Sequence, residues 1–394
     1  MPPPAHGSRR EPTERGSDVT TLTLDRVSKV YGQRGSNPVL AVDGIGMAID
    51  DGEIVGLLGS SGCGKTSTLR MVAGFEDVTS GEIRLGSRVI NRLAPAKRNV
   101  AMAFEGYALY PPLRVRDNIG FALLRDRHPR TEVEAKVNEI ASLLEIGDIL
   151  DRYPPTISAG QQQRTSLARA LIRKADSFLL DEPMSQLEPQ LRAILRARIK
   201  DWLISRRMTT VFVTHDQTEA IALADRIAVM EKGVLEQFAT PAELKERPAT
   251  LFVASFIGEP PMNIFKARAH LDGLGSIVAL DERGDAAFEV ASPAGIAQLA
   301  EGQSLWLGVR PHRIRLGDGP GAVRGIVASN HWLGDQSHLG IEVGRNLVIA
   351  VAHGVVDAPI GSEIAAILPP ESLHLFDGET ERALFHGVGA AVAA

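Results

Sequence analysis

Between residues 20 and 240 the chain alternates short apolar runs with segments of helical periodicity. From Thr20, the sequence TLTLDRV alternates apolar and polar residues as a half-buried strand does, and a second strand, Val39 to Ile49, follows a turn-rich stretch. These two strands predict an antiparallel β edge. Further apolar runs predict buried strands and read EIVGLL, VAMAF, SFLLD, TVFVTH and RIAVM. Because helical segments separate these runs, we expect a largely parallel α/β sheet.

The predicted helices have the spacing of amphipathic helices. Apolar residues recur at Val133, Val137 and Ile140, three and four positions apart. The other predicted helices are STLRMVAG, Gln161 to Arg173, Pro189 to Ser205 and Thr218 to Ala224. We expect residues 20–240 to form one domain, with a helical subdomain at about 105–175.

The pattern changes after Thr240. Segment 241–262 contains short helical sequence interrupted by Pro248, which predicts a linker. Short apolar runs separated by Gly, Asp and Asn follow, and they read SIVAL, SLWLGV, AVRGIV, HLGIEV, NLVIAV, EIAAIL and SLHLF. Such runs without helices between them predict a small all-β domain at 263–394, an OB/MOP-like barrel. Residues 1–19, rich in Pro and Gly with balanced charges, are expected to be disordered.

Composition argues against several classes of protein. The 394 residues carry a formal net charge of -5, which gives no basic field that would gather nucleic acid. The single cysteine can form neither an internal disulfide nor a Cys-rich zinc site. No stretch approaches the roughly 20 apolar residues of a membrane-spanning helix, and the first residues lack the apolar core of a signal peptide. We therefore expect a cytoplasmic protein that would reach a membrane only through a partner.

One glycine-rich segment carries a phosphate-binding motif. Residues Gly59 to Thr66 read GSSGCGKT, which matches GxxxxGK[ST] between a buried strand and a helix. Backbone N–H groups that turn inward around a phosphate need glycine at several positions. Lys65 would supply a positive charge there, and the Thr66 hydroxyl would bind Mg²⁺. We interpret Cys63 as a small residue that fits this loop, and we expect its alkylation to block nucleotide binding.

Charged residues follow two of the apolar strands. SFLLDE places Asp181 and Glu182 at the end of a strand, where Mg²⁺ coordination and water activation are needed beside a phosphate loop. The alternative for this pair is an acidic helix cap. His215 likewise ends TVFVT, and a lone histidine in such a place is more often structural, so its significance depends on its neighbours.

An ordered set of motifs resembles the ATPase subunits of ATP-binding-cassette (ABC) transporters. The set consists of Tyr31, GSSGCGKT, FEGYALYP, ISAGQQQR, FLLDEP, SQLE and VTHD. ISAGQQQR carries the most weight, because a signature of this kind separates these ATPases from other phosphate-loop enzymes. Downstream, EQFATPAEL, RPATLFVASFIGEPPMN and LGVRPHRIRL are similar to the bacterial carbohydrate and glycerol-phosphate importer ATPases, including the maltose type. The resemblance spans nearly all of the expected folded chain.

The resemblance implies a role for each motif. Tyr31 would stack on the adenine of ATP. The residues that would hold the phosphates are Gly59, Ser60, Ser61, Gly62, Cys63, Gly64, Lys65, Thr66 and Ser67. The residues that would bind Mg²⁺ are Thr66, Asp181 and Glu105, of which Asp181 would do so indirectly. Glu182 would act as general base for the attacking water, and His215 would bridge to the γ-phosphate. With Lys65, these two residues make up the expected catalytic set.

The signature implies a second subunit. Its residues Ser158, Ala159, Gly160 and Gln161 would contact ATP held by the other subunit. This agrees with the position of the signature at the head of a helix, where N–H groups and the positive end of the dipole suit a γ-phosphate. Two copies would therefore enclose two nucleotides, and a monomer should hydrolyse ATP slowly.

Three positions depart from the family pattern. Glu105 stands where Gln is usual, Ala159 replaces the first glycine of the signature, and Glu188 replaces Asp in the loop after the base. Glu105 adds a negative charge near ATP, and Ala159 adds a methyl group where close approach or a positive φ would require glycine. Either a symmetric dimer is less active, or the chain pairs with a paralogous ATPase subunit.

The resemblance implies the motor subunit of a bacterial importer for sugars, polyols or glycerol-phosphate-type solutes. It would bind the cytoplasmic face of the inner membrane through two permease subunits, with a solute-binding protein in the complex. Residues Glu105 to Pro112 would push on the permeases, and the β-rich domain would support the dimer or receive regulatory signals.

Three alternatives remain. The first is an importer ATPase for polyamine, iron or anion uptake. The second is a soluble ABC ATPase acting on ribosomes or DNA. The third is a phosphate-loop kinase or switch, which would have no reason to carry ISAGQQQR.

Overall fold

The computed structural model describes residues 21–32, 37–270, 275–281, 283–293 and 299–387. The segment 1–19, which the sequence predicts to be disordered, lies outside the described residues. Within the described ranges, no helix combines the length and the apolar character that crossing a membrane would require.

The N-terminal half contains two sheets. In chain order its strands are β1 (Leu22–Tyr31), β2 (Val39–Ile49), β3 (Ile54–Gly59), β4 (Ser80–Leu85), β5 (Arg88–Val89), β6 (Val100–Ala103), β7 (Ser177–Asp181), β8 (Thr210–Val213), β9 (Arg226–Glu231) and β10 (Val234–Ala239). An antiparallel sheet has the order β2-β1-β4-β5, and a six-stranded sheet has the order β10-β9-β3-β8-β7-β6.

The six-stranded sheet is parallel except at one edge. Strand β3 pairs in parallel with β8 and β9, and β7 pairs in parallel with β6 and β8. Only β10 runs antiparallel, against β9. Every residue of β3, β7 and β8 is buried, because helices cover one face of this sheet and the antiparallel sheet, with one further helix, covers the other. The predicted, largely parallel sheet is confirmed. The antiparallel pairing predicted for β1 and β2 also forms, but in a separate sheet, and the antiparallel edge of the parallel sheet is β10 instead.

Six helices accompany these strands among the residues described here. They are α1 (Lys65–Ala73), α2 (Val115–Arg125), α3 (Arg130–Leu143), α4 (Ala159–Leu171), α5 (Pro189–Ser205) and α6 (Gln217–Leu223). Helices α2, α3 and α4 share one core, to which Ile119, Val137 and Leu167 contribute. These three helices lie in the region predicted to be helical. The sequence analysis did not single out α2, although its buried residues Val115 and Ile119 are four positions apart.

The C-terminal half is all-β in the ranges that are described. Its strands are β11 (Asn263–His270), β12 (Ser276–Leu280), β13 (Ala286–Ala291), β14 (Ser304–Val309), β15 (Arg315–Leu316), β16 (Ala322–Trp332), β17 (Gln336–Val343), β18 (Asn346–His353), β19 (Glu363–Ile367), β20 (Leu373–Asp377) and β21 (Ala383–His386). They form two sheets, β13-β12-β11-β14-β20-β21 and β15-β19-β16-β17-β18. The all-β prediction is confirmed, but the predicted runs did not include β11, β13, β15 and β21.

The two C-terminal sheets share one apolar core, which includes Leu307 and Ile341. A buried polar side chain also joins them. Asn263 Nδ2 donates to Ile349 O at 2.8 Å, and Asn263 Oδ1 accepts a hydrogen bond from Ile349 N at 2.7 Å. The Asn263 amide therefore pairs with the exposed edge of β18 as another strand would.

The segment between the halves contains two short helices, α7 (Pro241–Glu246) and α8 (Leu251–Phe256). Val253 and Ile257 belong to the core of the N-terminal half. Ala254 instead packs with Met262 and Phe376 of the C-terminal half. Helix α8 therefore lies between the two halves and contacts both.

Candidate functional site

The loop between β3 and α1 is shaped by glycines for two different reasons. Gly64 has φ +102°, and a Cβ atom there would lie 2.5 Å from Ala41 O. Gly59 is confined by packing alone, because a Cβ would lie 2.1 Å from Met230 O. Gly62 has φ +79° but faces open space, with no atom within 4 Å of a built Cβ. The loop is therefore packed against the sheet on one side and open on the other.

Lys65 lies inside the curve of this loop. Its Nζ donates to Gly59 O and to Ser60 O, both at 2.8 Å, and the residue is only 8% exposed. The ammonium group and the first N–H groups of α1 place positive charge at the same point. A phosphate group fits this cradle, because its oxygens would accept from the ammonium and the free N–H groups.

Two oxygen groups lie next to this cradle. Thr66 Oγ1 donates to Asp181 Oδ1 at 3.3 Å across the gap between α1 and the end of β7. Burial raises the pKa of the Asp181 carboxyl, the hydrogen bond from Thr66 opposes that rise, and the charge of Glu105 adds to it. A hydroxyl and a carboxylate beside a phosphate cradle are ligands that suit Mg²⁺, which prefers oxygen and favours the charged form of Asp181.

Glu182 and His215 meet at the carboxyl ends of two neighbouring strands. His215 Nδ1 lies 2.8 Å from Glu182 Oε2. Glu182 has φ +50°, a strained conformation for a residue other than glycine, and its N–H donates to Val213 O at 3.0 Å. The Glu182 side chain is 14% exposed and that of His215 is 70% exposed. This geometry suits a carboxylate that accepts a proton while an imidazole orients it.

Tyr31 lies beside the first turn of α1. Its hydroxyl oxygen is 3.2 Å from Ser67 Oγ, and Lys29 Nζ lies 4.7 Å from the centre of its ring. The ring therefore stands next to the phosphate cradle. Stacking of Tyr31 on adenine stays a prediction.

The signature residues form the exposed N-terminus of α4. Ser158 caps this helix: Ser158 Oγ accepts from Gln161 N at 3.3 Å, and Ser158 N donates to Gln161 Oε1 at 3.0 Å. Ala159 is the first helical residue, is exposed, and does not have a positive φ, so its methyl group causes no backbone strain. The close approach occurs at Gly160, where a Cβ would lie 3.0 Å from Gln186 O.

The other two departures from the family pattern lie at the edges of the site. Glu105 is exposed and close enough to Asp181 to raise the pKa of that carboxyl. Glu188 is the N-cap residue of α5, and its side chain makes no capping hydrogen bond. Asp reaches the N–H groups of a first turn, which the longer Glu side chain does less well.

Gln163, a residue of the ISAGQQQR motif, makes contacts that the motif did not predict. Its side chain is buried, and Nε2 donates to Glu182 O at 2.8 Å and to Ser185 Oγ at 3.0 Å. Its Oε1 accepts from Gln186 N at 3.0 Å. Gln163 therefore joins the signature helix to the loop that follows Glu182. In the sequence, the only sign of this role was that a polar residue occupies the buried face of a predicted helix.

A second group of unpredicted residues supports the loop that carries His215. Thr214 Oγ1 donates to Glu219 Oε2 at 3.1 Å, and Glu219 is only 2% exposed. Burial, assisted by the charges of Asp216 and Glu182, raises the pKa of Glu219 to about 7, although the hydrogen bond from Thr214 opposes this. Arg192 pairs with Asp216 at 3.0 Å.

The sequence matches known families in both halves. The family model for ABC transporters matches residues 42–185, and the model for the TOBE domain matches residues 307–376. The chain is 43% identical to the sn-glycerol-3-phosphate import ATP-binding protein of Cereibacter sphaeroides over 372 residues, 93% of this chain and 100% of the relative. It is 41% identical to the xylose/arabinose import ATP-binding protein of Haloferax volcanii over 374 residues, 93% of this chain and 96% of the relative.

A solved structure resembles the N-terminal part of the fold. It is a dimeric ATP-binding cassette in a post-hydrolysis state, bound to ADP and Pi, with a TM-score of 0.52 and 25% identity. The match covers 56% of this chain and 98% of that structure. These comparisons confirm the family indicated by the ordered motifs. The chain therefore belongs to the ATP-binding proteins of ABC transporters, the ATPases that power solute transport.

Proposed function

We propose that this chain hydrolyses Mg·ATP as part of a paired ATPase and thereby drives import of sugars, polyols or glycerol-phosphate-type solutes. The observation that carries the proposal is the convergence of Lys65, Asp181 and Glu182 at one edge of the parallel sheet. The names of full-length relatives, which specify glycerol-3-phosphate and pentose import, support the cargo class. Polyamine, iron or anion uptake is the second choice.

Different residues of the chain perform different parts of the hydrolysis reaction. When bound, Mg·ATP supplies the phosphoryl group and a divalent charge that offsets the phosphate charges. Lys65 holds phosphate oxygens, and Thr66 with Asp181 provides oxygens for the cation. Glu182 Oε accepts a proton from the attacking water, and His215 keeps that carboxylate in place. Catalysis comes mainly from positioning and charge stabilisation.

We propose that the second half of each pocket comes from another subunit. Ser158 and Ala159 lie exposed at the N-terminus of α4, where backbone N–H groups suit a phosphate. The bound nucleotide of a partner subunit would meet them there. A second copy of this chain is the simplest partner, and a paralogous ATPase subunit is the alternative.

A groove next to the site suits a membrane partner. Its aromatic lining includes Phe75, Phe104, Tyr107 and Tyr110. Tyr107 has φ +59° and the next residue, Ala108, has φ +46°, so part of the groove lining is a strained segment that begins two residues after Glu105. We propose that a permease segment binds this groove and senses the state of the ATP site. The chain would then sit at the cytoplasmic face of the membrane.

We propose the domain division 20–240, 241–262 and 263–394, with the last part bracing the dimer or receiving regulatory signals. The position of α8 between two packed cores supports a linker that contacts both domains.

The Glu182→Gln variant tests the paired pocket. This variant should bind Mg·ATP, fail to hydrolyse it, and become dimeric by light scattering. The matched control adds Ser158→Arg at the exposed end of α4, which should block pairing without touching the phosphate loop of the same chain. A Glu182→Gln variant that stays monomeric with ATP, both alone and with its cognate permeases, would contradict the proposal. Uptake of sugars or glycerol phosphate by reconstituted complexes would test the cargo.

A further inference from the structure

Gln217 joins the loop that carries His215 to the linker helix α8. It is the first residue of α6, two positions after His215. Its Nε2 donates to Phe256 O, and its Oε1 accepts from Gly258 N at 2.9 Å. One side-chain amide therefore fixes the last turn of α8 to the start of α6.

The C-terminal half holds the same turn of α8 from the other side. Arg310 Nη1 donates to Ala254 O at 3.1 Å and to Ile257 O, and Nη2 donates to Lys245 O at 2.9 Å. Arg310 is 3% exposed, and burial lowers its pKa to about 10, so it remains charged at neutral pH. Both halves of the protein therefore hold one short segment through directed hydrogen bonds.

Apart from its contact with Glu182, the His215 side chain depends on its backbone for its position, because it is mostly exposed. The flanking anchors are Thr214, through Glu219, Asp216, through Arg192, and Gln217, through α8. Of these, only Gln217 depends on α8, so a shift of α8 would move that anchor of the His215 loop.

We propose that Gln217 is a positioning residue for hydrolysis. It makes the position of the His215 loop depend on the positions of α8 and of the β-rich half. The inference rests on the proposed role of His215. A sub-ångström displacement of a group that orients the base is enough to slow the chemical step without weakening nucleotide binding.

The chain offers a matched control in Gln237 on β10. Its Nε2 donates to Arg247 O at 3.0 Å, and its Oε1 accepts from Ala249 N at 2.8 Å. Gln237 thus makes the same pair of backbone hydrogen bonds to the same linker, but it lies far in sequence from the His215 loop. Loss of the Gln237 amide should cost no more stability than loss of the Gln217 amide, because the hydrogen bonds of Gln237 are the more exposed pair.

The experiment compares Gln217→Met with Gln237→Met in the full-length ATPase assembled with its permeases. Both variants should lower Tm by a few degrees. Only Gln217→Met should lower kcat, by about 10-fold, with KM for ATP changed less than about 2-fold. Gln217→Glu, which keeps an acceptor for Gly258 N but opposes Phe256 O, should show the same loss of kcat if Gln217→Met does not fold.

The same substitution in a His215→Ala background distinguishes failure of this inference from failure of the proposed role of His215. The double variant His215→Ala/Gln217→Met should be no slower than His215→Ala, because Gln217 acts through the histidine. Equal effects of Gln217→Met and Gln237→Met on kcat, or additive losses in the double variant, would overturn this inference alone. Unchanged kcat in His215→Ala would instead overturn the proposed role of His215, and this inference with it.

Discussion

His215 Nδ1 lies 2.8 Å from Glu182 Oε2, although the two residues are far apart in the sequence. Adjacent parallel strands, β7 and β8, bring them together, because the carboxyl ends of parallel strands meet at one edge of the sheet. The Lys65 cradle and Asp181 lie at this same edge. The pairing therefore places the carboxylate that we propose as proton acceptor, and the histidine that we propose to orient it, beside the phosphate loop.

The Glu182→Gln variant is expected to bind ATP with nearly unchanged affinity and to lose turnover by at least about 100-fold, because the amide cannot accept the proton from water. Nucleotide binding by calorimetry and phosphate release by a coupled assay check the two parts. Glu134→Gln, an exposed change on α3, is the control. Turnover retained in Glu182→Gln would remove this residue as the base.

Glu219 predicts a pH dependence of stability. Its pKa is raised to about 7 from 4.5, so between these values the folded protein keeps a proton that the unfolded chain has lost. The free energy of unfolding should therefore fall as pH rises through this window, by up to about 3 kcal/mol. Glu219→Gln should flatten the dependence of Tm on pH between 5 and 8. An equally steep dependence in the variant would contradict the buried, neutral carboxyl.

Cys63 is less reactive than its place in the phosphate loop suggests. It is only 2% exposed, and burial raises the pKa of its thiol despite the nearby Lys65 ammonium. Alkylation of the folded protein should be at least about 10-fold slower than that of the unfolded chain, and ATP should slow it further. Labelling with N-ethylmaleimide followed by mass spectrometry measures both rates. Rapid labelling of the folded protein would contradict the buried position.

Glu105 should oppose ATP binding electrostatically. It is exposed at the rim of the site, so replacing it by Gln should tighten ATP binding without Mg²⁺ by about 2-fold to 5-fold at low ionic strength. Salt and Mg²⁺ should both reduce the difference, since each screens the repelled charges. Titration of ATP at two salt concentrations tests this. A difference that does not depend on salt would point to a change in packing instead.

Much of the fold could be predicted because it depends on local periodicity. The fully buried strand β7 appears in the sequence as an uninterrupted apolar run, and the phosphate loop as a glycine pattern between a strand and a helix. Strand β4 was missed, since it has few apolar residues in SGEIRL and forms by pairing with β1 and β5. Strand β11 alternates buried and exposed positions, but two prolines just before it suggested only a linker.

The sequence by itself determined the order of chemical groups along the chain: a phosphate loop, a signature, and acidic and histidine residues at strand ends. Only the tertiary structure decided which polar side chains connect them. Gln163, Gln217 and Glu219 have partners on other elements or loops, and no local pattern distinguishes them from solvent-facing residues. The physical reason is that periodicity reports which face of an element is buried, whereas the partner of a buried polar group depends on how distant elements pack.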